Sequence, residues 1–226
     1  MSMNLEQFPR TSQLFQGAIL GTVAHAIWIA KYPDFANEQS WDGPNYSVQN
    51  SQDVRGTITF LGSRVVGVFR DESSPRNPFS TEEEYDLSRF LVGMTPDLLD
   101  IASNEALQYV LEDYKENIVP IITTAFWSDG EFLTSAEPWH EVVENGAKIL
   151  QTQLMDTNAA ITKWQSDYEI SASQATLMRT LFDRKINLPD TQITLSSGER
   201  DLLVANNAEG IEESRQLLGA IGIIVP

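Results

Sequence analysis

Two histidines, no cysteine and a surplus of carboxylates bound the chemistry open to this chain. Without cysteine there is no disulfide, no thiolate nucleophile and no sulfur-held zinc or iron–sulfur cluster. With His25 and His140 as the whole imidazole supply, a multi-histidine metal site or a Ser-His-Asp triad is hard to build. His25 lies among Ala24, Ala26, Ile27 and Trp28, the surroundings of a core residue rather than of a base beside a nucleophile. His140 stands in the run Glu137-Pro138-Trp139-His140-Glu141-Val142-Val143-Glu144. Residues three and four apart share a helix face, so Glu137, His140 and Glu144 are the candidate metal ligands. Dimetal carboxylate bundles need Glu-x-x-His twice, and the zinc-protease helix needs a second histidine. Here the spacing occurs once, and acids at a helix start also suit the positive end of its dipole. No metal and no cofactor is therefore expected. Phosphate-cradling glycine loops and the Gly-x-Ser-x-Gly elbow of hydrolases are also absent from the sequence.

The remaining signal is charge. Residues 72–150 carry 16 acids against 4 bases, which gives −12 of the chain's formal −17. The acids include Glu82, Glu83, Glu84, Asp86, Asp97, Asp100, Glu112, Asp113 and Glu116, with Tyr85, Tyr109 and Tyr114 among them. Acids interleaved with aromatics are what a face for a basic protein would present. The same field repels nucleic acid and anionic lipid. The expected partner-binding set is Glu82, Glu83, Glu84, Tyr85, Asp86, Asp97, Asp100, Glu112, Asp113 and Glu116. The leading reading is a non-catalytic cytoplasmic protein of the immunity or antitoxin kind, which inhibits a basic partner by electrostatic steering. One alternative is an enzyme or enzyme subunit working through a carboxylate–histidine site. Another is a structural subunit of a larger assembly.

These side chains need elements to position them. Thr11 or Ser12 can cap a helix that runs to about Lys31 and ends before Pro33. It is apolar nearly all round, so it should be buried. Its stretch Leu14–Ala30 is at the lower limit of a membrane span and contains Gln16, Thr22 and His25, which favours a core helix. Gly17 and Gly21 would admit a close neighbour. Tyr46 and Val48 alternate with polar residues, and two β-branched runs flank Gly62-Ser63. They predict a hairpin of Thr57–Leu61 with Arg64–Phe69, in which Phe60 faces Val65 and Ile58 faces Gly67. One face would hold Ile58, Phe60, Val65 and Phe69, in a sheet buried on one side. Asp71–Ser80 is turn-rich and marks the boundary between a region at 1–71 and a mainly helical one at 72–226. Helices are expected near 82–93, 96–116, 118–127, 137–166 and 172–186. After these come a short strand at 192–195, a helix at 196–206, an amphipathic helix at 209–218 and an apolar tail at 220–225. The fold class is α+β, a small antiparallel sheet with a predominantly helical remainder.

Overall fold

The apolar helix after Thr11 forms as α1, Thr11–Ile29. In chain order there follow β1 Gln39–Asp42, β2 Asn45–Gln49, β3 Val54–Leu61, β4 Arg64–Asp71, α2 Pro96–Asn104, β5 Leu111–Tyr114, β6 Asn117–Pro120 and β7 Thr124–Ser128. Then come α3 Trp139–Glu144, α4 Thr157–Asp167, α5 Ala172–Asn187, β8 Ile193–Thr194, α6 Ser197–Asp201, α7 Ala208–Ala220 and β9 Ile223–Ile224. The fold is α+β. The computed structural model describes residues 7–51, 53–81, 84–203 and 208–226. Its contacts gather into two units, one of Gln13–Gly43 with Thr152–Pro226, the other of residues 7–12 with Pro44–Gln151. The turn-rich Asp71–Ser80 lies inside the second unit.

The first unit is helical because its segments carry their own start signals. Asp156 caps α4 by accepting from the Ala159 N–H. Ser171 with Gln174, and Ser196 with Glu199, form capping boxes at α5 and α6. Helices α4, α5 and α7 pack around α1, whose residues Gly17–Ile27 are all buried. Val23, Ala24 and Ile27 share a core with Trp164, Leu177, Met178, Leu181, Leu218 and Ile223. Gly17 is required by packing, since a Cβ there would overlap the Gln153 carbonyl. Among the described residues no helix is long and apolar enough to cross a membrane. The tail expected at 220–225 contributes β9, which pairs in parallel with β8.

Two polar side chains of this unit are joined in a short relay. The Trp41 indole N–H donates to Thr22 Oγ1 at 2.8 Å, and that hydroxyl donates to the Ala18 carbonyl at 2.8 Å. His25 is fully buried, as its neighbours implied, with Nδ1 3.4 Å from the Tyr168 hydroxyl.

In the second unit β2, β3, β4 and β7 pair in that order, all antiparallel. The hairpin register is as expected, with Phe60 opposite Val65 and Ile58 opposite Gly67. Burial on one side only is not. Val65 and Phe69 are buried on one face, and Val66 and Val68 on the other. The second face is covered by Leu98, Ile101, Ala102 and Leu107, which pack on Val66 and Val68. Phe60, near the turn, is only half-buried.

The helical remainder expected after residue 80 needs larger corrections. Of 82–93, residues 82 and 83 lie outside the described residues, and beyond them only a 3-10 turn forms, Leu87–Phe90. The helix expected over 96–116 ends at Asn104, and the one over 118–127 is strand. Leu111–Pro120 is a hairpin, because Lys115 and Glu116 both take left-handed backbone (φ 48° and 66°) and fold the chain in a two-residue turn. The single helix expected over 137–166 is broken after Glu144. Gly146 (φ 145°) approaches Phe69 so closely that a Cβ would lie 2.8 Å from the Phe69 Cβ. Of 196–206, α6 supplies Ser197–Asp201, and residues 204–206 lie outside the described residues.

Candidate protein-binding face

Strand alternation sends successive residues of the β5–β6 hairpin to opposite sides. Glu112 takes the inner side. Its Oε1 accepts from Arg70 Nη1 at 2.6 Å and also pairs with Arg55. Arg70 is itself buried, pairs through Nη2 with Glu72 at 3.0 Å and lies 5.1 Å over the Phe79 ring. Desolvation pulls the Arg70 pKa below the ordinary arginine value, and Glu72 pushes it back up. The inner side of the hairpin is thus fixed by charges.

The outer side carries Leu111, Asp113 and Ile118, with Asp113 directly opposite Ile118 and Leu111 opposite Pro120. Ile118 is 71% exposed and Leu111 39%. Exposed Glu116 stands at the turn. Phe79, 51% exposed, meets Tyr114 edge-on at 5.7 Å, and Tyr114 meets Tyr85 at 6.1 Å. While Tyr114 and its aromatic contacts belong with Glu112 to the inner side, the outer side is thus an exposed carboxylate with an apolar neighbour across the hairpin and another along its strand. A water-facing strand would ordinarily be polar there.

Tyr85 anchors those aromatic contacts. Its hydroxyl accepts from the Ile122 N–H at 2.8 Å and sits 3.3 Å from the Ile122 carbonyl, to which it donates. Burial pushes its pKa up to about 12, so the phenol stays protonated. Glu84 and Tyr85 line a cleft of about 450 Å3 with Arg76 and Arg89.

Of the expected set, Glu112, Asp113 and Glu116 come together on one hairpin, and Tyr85 reaches it through Tyr114. Glu112 faces inward as a fastening rather than outward. Asp86 caps the 3-10 turn by accepting from the Ser88 N–H at 2.9 Å. Asp97 pairs with Arg64 at 2.6 Å, and Asp97 and exposed Asp100 belong to α2. Glu84 is exposed, and Glu82 and Glu83 lie outside the described residues. Leu111, Ile118, Phe79 and Arg70 were missed from sequence. The alternation of Leu111-Glu112-Asp113-Tyr114 and the β-branched Ile118-Val119 were the available signals.

The candidate metal face does not assemble. Glu137 Oε2 accepts from Arg76 Nη1 at 2.5 Å, and Glu141 Oε2 from Arg76 Nη2 at 2.8 Å. His140 and Glu144 are exposed, with His140 Nε2 3.7 Å from Glu141 Oε1. Among the described residues no group of three or more His, Asp or Glu side chains is placed to hold a metal ion. The chain matches no protein-family model, and comparisons with curated proteins and with solved structures gave no significant match.

Proposed function

We propose that the protein binds a basic protein partner through the outer side of the β5–β6 hairpin, as a non-catalytic inhibitor of the immunity or antitoxin kind acting in the cytoplasm. The observation that supports this reading is the exposure of Leu111 and Ile118 next to Asp113 on one side of the hairpin. Apolar side chains supply contact area, and the carboxylates Asp113 and Glu116 supply orientation. The −12 of residues 72–150 would draw in a cationic surface at a rate that salt reduces. An enzyme working through Glu137, His140 and Glu144 draws no support from the geometry, since Glu137 is engaged by Arg76.

The test is a pull-down from the native host, then association kinetics at low and moderate salt. The recovered partner should be basic. Asp113→Asn with Glu116→Gln should slow association by roughly an order of magnitude at low salt and by less at high salt. Ile118→Ser should mainly speed dissociation. An acidic partner, or one that all three substitutions leave unchanged, would overturn the reading.

A further inference from the structure

The first unit holds a small cleft of about 160 Å3 where the end of α1, β1 and α7 meet. Ile29, Leu217 and Ala220 supply its apolar lining, and Trp41, Glu213 and Gln216 supply its chemistry. No lysine or arginine lines it. Trp41 is held in place. Its indole N–H donates to Thr22 Oγ1 at 2.8 Å, and its ring packs against the core around α1. Turning the ring would break that bond, so the aromatic wall stands ready before a ligand arrives.

Glu213 is the group in this cleft without a counterpart. Helix α7 carries one base, Arg215, whose guanidinium is taken by Glu212 and by the Val225 carbonyl. Gln216 also donates to Glu212, from Nε2 at 3.2 Å, which leaves its Oε1 as an acceptor. Glu212 thus collects the donors of this turn. Glu213, half-buried, makes no hydrogen bond or ion pair with any described residue. A carboxylate partly withdrawn from water has lost hydration that a cation in the cleft would replace.

We infer that this cleft receives an alkyl guanidinium, the group that an arginine side chain presents. The planar fork donates to the Glu213 carboxylate and to Gln216 Oε1, and its face lies against the Trp41 indole. The alkyl stem leaves along Leu217 and Ala220. The volume lies well below the range of about 300–1,000 Å3 that encloses drug-sized ligands, so the cleft takes one group on a stem rather than a whole metabolite. A guanidinium is preferred to an ammonium because it offers more donors in one plane and stacks on an aromatic face. The site belongs to a different unit from the β5–β6 hairpin, and the inference stands whether or not the hairpin binds a partner.

The test is a proton–nitrogen NMR titration of the full chain, read at the Trp41 indole N–H. N-acetyl-L-arginine amide carries the guanidinium as its only charge, N-acetyl-L-lysine amide carries an ammonium, and N-acetyl-L-citrulline amide carries a neutral group of similar shape. The arginine compound should saturate in the millimolar range and the lysine compound should bind more weakly. The citrulline compound should bind roughly tenfold more weakly or worse, as the loss of charge-assisted hydrogen bonds requires. Glu213→Gln should weaken the arginine compound by a similar factor and leave the melting temperature unchanged, because an unpaired carboxylate adds little stability. Glu212→Gln removes the same charge from the adjacent position and should leave binding intact. Ala220→Leu should close the cleft and abolish binding with the carboxylate in place. Free L-arginine binding more tightly than its blocked form would assign a small-molecule source, and a Gly-Arg-Gly peptide binding more tightly would assign a protein side chain; either upholds the site. No saturable shift at tens of millimolar would overturn the inference. So would equal binding of the lysine or citrulline compound, or full binding to Ala220→Leu.

Discussion

Glu112 and Arg70 meet at 2.6 Å, and this pair fastens the β5–β6 hairpin to β4. Arg70 is buried while Glu112 keeps partial access to water, so removing the carboxylate strands a cation in a poor solvent. Glu112→Gln should lower stability by about 2–3 kcal/mol, toward the low end for a broken buried pair because Glu72 remains. Urea unfolding measures the loss. Amide exchange should quicken at Glu112 and Val119, and an unchanged midpoint would show that the hairpin stands without its clamp.

The half-burial of Phe60 and the full burial of Phe69 set up a second comparison. Phe69 packs close to Gly56 and Gly146 and stacks on Phe126 at 5.7 Å. Phe69→Ala should cost about 3–5 kcal/mol as a core cavity, and Phe60→Ala clearly less. Equal losses in denaturant unfolding would mean that the two side chains are equally enclosed in solution.

Gly146→Ala tests the break between α3 and the 3-10 turn at Ala147–Leu150. The added methyl meets the Phe69 Cβ at 2.8 Å, and the backbone at φ 145° is hostile to any side chain. A loss of about 2 kcal/mol or more is expected from strain and overlap together. A variant melting at the parent temperature would show that the segment shifts freely.

Burial lowers the His25 pKa to about 4 from an ordinary 6.5, and the nearby Phe35 and Ala36 backbone offsets this only in part. The unfolded chain therefore binds a proton on this ring more readily than the folded one. Stability from the neutral ring is complete above pH 6.5 and drains away as pH falls toward 4, by about 3 kcal/mol in all. Comparing parent and His25→Gln in urea at pH 7 and pH 4.5 isolates this from the carboxylates. The parent should lose more on acidification, and parallel losses would exclude His25 as the cause.

The legible parts of the fold were those with a strong local code. α1 was readable because an all-apolar helix has only the interior to go to, and the β3–β4 register because Gly62-Ser63 leaves one two-residue turn. The β5–β6 hairpin was hidden. Lys115-Glu116 is not a usual turn pair, and acids three and four residues apart mimic a helix surface. Asn145-Gly146, where α3 ends, is a turn pair that the helix expected over 137–166 runs straight through. Of the proposed binding face, the acids were visible and their directions were not. That Glu112 points inward and Asp113 outward is decided by strand pairing and by Arg70, which lies 42 positions earlier in the sequence.

The first unit is assembled from Gln13–Gly43 and Thr152–Pro226, with the second unit's main segment, Pro44–Gln151, between them. During synthesis the intervening unit has its whole main segment out of the ribosome while the first still lacks most of its helices. α1 must then wait with its apolar circumference uncovered until α4, α5 and α7 emerge. Nascent chains in that condition are the ones that hold-and-release chaperones engage, and they aggregate when translation outruns that help. Slow production of Thr152–Pro226, or its truncation, would thus harm the protein through the fate of a helix made long before it.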